Sequence, residues 1–164
     1  MLRIVLNTTP IISLLKIGKL DILREIYGKV IVPEAVFFEI EKGKNKPFYQ
    51  DISQLDWLDI QKIKNSEVLN LLNDLDAGEA EVIVLATEIV ADLVIIDETL
   101  GRRFAKYSDL KVTGTIGVLI KAKEMGIVKA ISPLLDEMQQ KGIWINNKLK
   151  LKVLKKVNEE SEQN

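Results

Sequence analysis

The chain has 164 residues, is 47% apolar and 29% charged, and carries a net charge of −1, a profile of an ordinary globular domain with enough residues to bury a core. It contains neither cysteine nor histidine. That removes disulfides, thiolate zinc sites, histidine general bases and every Ser-His or Cys-His nucleophile pair. No run of about 18 apolar residues is present, so no membrane span is expected. Oxygen donors alone remain for a metal, and such hard ligands favour Mg²⁺ or Mn²⁺.

Residues 2–6 form a short apolar run that reads as a first strand, not as a secretory signal, so the cytoplasm is the expected compartment. Asn7-Thr8-Thr9-Pro10 supplies capping residues and a proline for a first helical turn. A helix is therefore expected over 11–17, broken at Gly18 and resumed over 20–27. Val30-Ile31-Val32 predicts a second strand, and Pro33 opens a helix over 34–42 on which Glu39 lies near Val36. A polar loop follows at 43–47, then a short strand over 57–60 and an amphipathic helix over 65–75.

The stretch 76–99 organises the remainder. It begins with an acidic helix start and ends in Leu93-Val94-Ile95-Ile96, a continuous apolar strand closed by Asp97 and Glu98. Such a strand suits a parallel sheet covered on both faces. Further helices are expected over 98–107, 115–124, 132–140 and 148–157, with a strand over 111–113. Strands alternating with helices predict an α/β fold with a mostly parallel sheet. One domain over 1–157 and a frayed tail over 158–164 complete the expectation.

Asp76 and Glu79 form an Asp-x-x-Glu capping box. Glu79 and Glu81 lie about 200° apart on a helix, which places Glu79 on the inward side with Ile83. An inward acid at a helix start needs a reason, and a metal supplies one. Asp97 reads either as a cap for the next helix or as a ligand at the carboxyl edge of the sheet, where open α/β folds bind their ligands. Glu39 alone reads as a surface glutamate. Arg102 and Arg103 read as solvated charges or as groups that neutralise phosphate. From Lys141 to Val157 the chain carries six lysines and no acid, which is either a solvated helix face or a phosphate-contacting surface.

Ile4-Val-Leu-Asn-Thr-Thr-Pro-Ile-Ile, with Lys16-Ile-Gly-Lys-Leu, resembles the opening of the PIN-domain ribonucleases, and more closely the DUF3368-type PIN-like group. The resemblance continues through Val32-Pro-Glu-Ala-Val-Phe-Phe-Glu39, Leu75-Asp-Ala-Gly-Glu-Ala-Glu81, Leu93-Val-Ile-Ile-Asp97-Glu, Gly101-Arg-Arg and Val112-Thr-Gly-Thr-Ile-Gly-Val-Leu119. It implies a Rossmann-like three-layer α/β/α sandwich and cleavage of single-stranded RNA with Mg²⁺ or Mn²⁺. By position it carries the family's later acids onto Glu39, Glu79 and Asp97, the hydroxyl of the opening motif onto Thr9, and an auxiliary acid onto Glu98. It also implies a VapC-like toxin that pairs with a small antitoxin and forms a homodimer.

The departure is at the first acid, where this chain has Asn7. An amide oxygen can ligate a hard cation but brings no charge. Two readings follow: a nuclease whose metal is held by Asn7, Glu39, Glu79 and Asp97, or a catalytically impaired module that binds RNA or protein. Asn-Thr-Thr after the first strand argues against a phosphoacceptor receiver and a dehalogenase-type phosphatase, which need aspartate there. A nucleotide-binding Rossmann domain needs a glycine-rich turn at that place.

Overall fold

The computed structural model describes residues 1–160. Five strands, β1 (Ile4–Leu6), β2 (Val30–Pro33), β3 (Leu58–Gln61), β4 (Leu93–Ile95) and β5 (Val112–Thr113), form one sheet in the order β3-β2-β1-β4-β5. Every pairing is parallel, with β1 at the centre in register Leu6↔Ile95 against β4 and Val5↔Ile31 against β2. Ile4, Val5 and Leu6 are all fully buried, as a strand covered on both faces requires.

The helices are α1 (Thr8–Lys16), α2 (Asp21–Tyr27), α3 (Glu34–Glu41), α4 (Ala77–Glu88), α5 (Thr99–Tyr107), α6 (Thr115–Glu124), α7 (Ser132–Gln140) and α8 (Asn147–Lys156). α4 lies over β1 and β2 with α5 beside it, while α1, α2 and α6 pack together. Right-handed crossovers put these groups on opposite faces, giving the three-layer α/β/α sandwich. α3 touches both α1 and α4, so it sits where the layers meet at the carboxyl edge of the sheet.

Three expectations are corrected. The helix expected over 65–75 is a 3₁₀ segment, Ser66–Leu72, with no buried residue, because Val68, Leu69 and Leu72 find only partial cover against the core and too little packing to hold a longer helix. α1 starts at Thr8 and not at residue 11, since extended Asn7 (φ −85°, ψ 174°) turns the chain straight out of β1. Pro10 is tolerated because first-turn N–H groups have no helical acceptor.

Glu159, inside the expected frayed tail, is anchored. Glu159 pairs with Lys123 at 2.8 Å and accepts the backbone N–H groups of Ile131 and Ser132. Its carboxylate thus caps the start of α7, and opposite charge and hydrogen bonds lower its pKa against the cost of burial. Residues 161–164 of the expected tail lie outside the described residues. Among the described residues no helix is long and apolar enough to cross a membrane.

Candidate active site

The candidate site is at the carboxyl edge, where β1 runs into α1. Asn7 is 2% exposed, its N–H held by the Ile95 carbonyl at 3.0 Å. It occupies the N-cap position of α1, yet its side chain caps nothing. Nδ2 instead donates to Glu98 Oε2 at 3.1 Å. Reversing the amide would give up this bond and turn its carbonyl toward the Glu98 carboxylate. Oδ1 is consequently buried with no hydrogen-bond partner, an arrangement that ordinarily costs about 1–3 kcal/mol.

Oxygens from other elements converge beside that orphan. A Cβ added to Gly78 would lie 2.8 Å from Glu39 Oε2, 3.4 Å from Asn7 Oδ1 and 3.5 Å from Asp76 Oδ1. Glycine in the first turn of α4 therefore keeps open a cradle rimmed by β1, α3 and the α4 cap. Thr8 Oγ1 donates to Glu39 Oε2 at 2.8 Å and steers that carboxylate inward, while Asp76 Oδ1 accepts the Glu79 N–H at 2.8 Å. Glu98 accepts the Thr9 hydroxyl as well as the Asn7 amide.

Glu79 is the buried acid of the group, 7% exposed. Its carboxyl is pushed up to about 8, first by burial, then by its hydrogen bond to Asp76 and the charges of Asp76, Glu98 and Glu39. A carboxyl so placed favours its protonated form at neutral pH. Glu79 Oε2 also sits 3.0 Å from where a Gly101 Cβ would be, so the start of α5 closes over it.

Asp97 is held by Thr115. Its Oδ1 accepts the Thr115 N–H at 2.7 Å and its Oδ2 accepts the Thr115 hydroxyl at 2.6 Å. It caps α6, the helix after next. Burial raises its pKa, against the lowering effect of both Thr115 bonds. A Cβ on Gly114 would meet Asp97 Oδ1 at 2.7 Å and Arg102 Nη1 at 3.1 Å, so the arginine flanks this cap. Glu98 is the acid whose charge acts on both Asp97 and Glu79.

The family model described as DUF3368: PIN domain matches residues 3–159. The chain belongs to the PIN-domain family. No curated protein and no solved structure matches it. PIN domains are in general metal-dependent nucleases, which places the chain among nuclease-type hydrolases at that level.

Of the predicted residues, the PIN domain brings Asn7, Glu39, Glu79, Thr9 and Glu98 into one neighbourhood. Asp97 and Arg102 stand together at the start of α6, where Asp97 accepts the N–H and the hydroxyl of Thr115. Arg103 is exposed on α5. Among the described residues no three acidic side chains form a metal-holding group by themselves. The Asn7 carbonyl supplies the oxygen that the acids lack. An all-oxygen donor set with one orphaned carbonyl and an open cradle fits a hard divalent cation. Sequence reasoning missed Gly78, named Thr8 only as the neighbour of Thr9, and favoured the cap reading of Asp76 over a place in the site. The signal for Gly78 was there: glycine costs about 1 kcal/mol against alanine inside a helix, so its place in Asp-Ala-Gly-Glu calls for a close approach.

Proposed function

We propose that this PIN domain is a divalent-metal-dependent endonuclease for single-stranded RNA, working in the cytoplasm as the toxin of a toxin–antitoxin pair. The observation that carries the reading is the partnerless Asn7 Oδ1 aimed into the Gly78 cradle beside Glu39. Asn7, Glu39 and Asp76 would hold Mg²⁺ or Mn²⁺, with Glu79 behind them. When bound, the ion supplies a low-pKa water and neutralises charge on the phosphate. The chain's own residues do the rest. Glu79, with its carboxyl near 8, is suited to hold a proton at neutral pH. The Thr8–Glu39 and Thr9–Glu98 bonds fix the carboxylates in place. Asp97 and Thr115 stiffen the wall by anchoring α6. A small antitoxin and a homodimer belong to this reading through the family resemblance.

A binding-only module is the second reading, favoured by the missing charge at Asn7. One assay separates them: a labelled single-stranded RNA incubated in millimolar Mn²⁺ or in EDTA, with melting curves in parallel. The nuclease reading expects Mn²⁺-dependent cleavage, a raised melting temperature with Mn²⁺, and loss of both in Glu39→Gln. RNA that is bound but never cut, with cleavage appearing in Asn7→Asp, establishes the binding module instead.

A further inference from the structure

The C-terminal helix carries a surface that the acidic site does not use. α8 buries Val153 and Leu154, and Lys150 is turned inward to Asp136 at 2.5 Å and Gln139 at 2.7 Å. Helical periodicity then sets Lys148, Lys152 and Lys155, at i, i+4 and i+7, in one stripe on the opposite face, about 10 Å long. All three are exposed, and none has an acidic partner among the described residues. Asp136, the nearby acid of α7, is occupied by Lys150.

At the head of this stripe stands Trp144, 82% exposed. Its neighbour Ile145 is buried and Asn146 caps α8 through the Lys148 and Leu149 N–H groups. The indole is therefore held out by an anchored backbone and is not on a loose end. An exposed indole costs hydrophobic burial and has no structural use there. Stacked on a nucleobase, with three ammonium groups following along a phosphate backbone, it has one.

We propose that Trp144 and the Lys148–Lys152–Lys155 stripe form a docking surface for single-stranded RNA, separate from the acidic cradle. Single-strand nucleic acid fits better than a second copy, since two such stripes would repel, and better than a lipid surface, for which the apolar flank of Leu149 and Leu151 is interrupted by lysines. The Lys155 end of the stripe lies away from the cradle: Lys123, at the end of α6 opposite Thr115, holds the Val157 carbonyl at the end of α8 at 2.5 Å. The inference rests on the reading of the chain as acting on RNA, and takes substrate capture away from the acidic cleft, where like charge repels phosphate.

Anisotropy of a labelled single-stranded RNA in EDTA tests binding without cleavage. The variant Lys148→Gln/Lys152→Gln/Lys155→Gln should bind at least tenfold more weakly and flatten the slope of log affinity against log salt by about 2. Trp144→Ala should lose about tenfold with the slope unchanged, and RNA should quench Trp144 emission while buried Trp57 is spared. These side chains leave the core intact, and circular dichroism checks it. Wild-type affinity and slope in the triple variant overturn the proposal, as does binding of anionic vesicles in preference to RNA. Stripe-dependent RNA binding by a protein that never cleaves in Mn²⁺ refutes the nuclease reading and leaves the docking surface standing.

Discussion

β1 and β4 lie side by side in register, and each leads into a polar residue at the carboxyl edge, Asn7 and Asp97. Asn7 is neutral, yet its carbonyl is buried with nothing to bond. Asp97 is an acid, and each of its oxygens already accepts one hydrogen bond from Thr115. Charge ranks Asp97 as the better ligand, whereas unmet hydrogen-bonding capacity ranks Asn7. The difference teaches that a side chain available to a ligand is one the fold has oriented without spending its hydrogen bonds.

The comparison can be broken most strongly at Asp97. Asp97→Ala strands the Thr115 N–H at the start of α6, and a urea melt should show a loss of about 3 kcal/mol. The melting shift produced by Mn²⁺ should survive. Abolition of that shift in a variant that is still folded would return Asp97 to the metal set.

Gly78→Ala sharpens the other half. A methyl there pushes against Glu39 Oε2, the far end of a flexible side chain, so the fold yields easily while alanine adds up to about 1 kcal/mol of helix propensity. The metal-free protein should be as stable as wild type or more so. Its response to Mn²⁺ should vanish, and RNA cleavage should fall about 100-fold, as misplacement of a positioned group by about an ångström does. An unchanged Mn²⁺ response would show that the cradle is not where the cation sits.

The smallest effect is one of pH. The Glu79 carboxyl is raised to about 8 in the fold from an ordinary value near 4.3 in the unfolded chain. Its contribution is therefore fully present below the unfolded value and is lost as pH climbs through about 8. Metal-free wild type should weaken between pH 5 and pH 8, and Glu79→Gln should not, with a gap of about 2 kcal/mol at pH 8. Parallel melting curves for the two proteins would mean that burial and the neighbouring acids act on Glu79 less than the geometry requires.

Much of the architecture was legible because it rests on local pattern. Leu93-Val-Ile-Ile announced a buried parallel strand, and Asp76 before Ala-Gly-Glu announced the start of α4. The inward side of Glu79 followed from helical spacing. The 3₁₀ segment after β3 was not legible, since Val68, Leu69 and Leu72 repeat like a helix but find only partial cover. Thr8 was passed over because the family resemblance set the motif hydroxyl at Thr9, whereas the hydroxyl bonded to Glu39 is that of Thr8.

The residues in chain order determined the strands, the parallel sheet and an all-oxygen donor set, because periodicity and composition are properties of short stretches, while the ordered motifs carried the resemblance to the family. Which acids share a pocket was decided only by tertiary packing. Asp97 reaches across to Thr115 and Glu98 turns back to Asn7 because the spacing of β4, β1 and β5 sets those distances. No local pattern in the chain encodes the gap between side chains brought together from residues 7, 39 and 76.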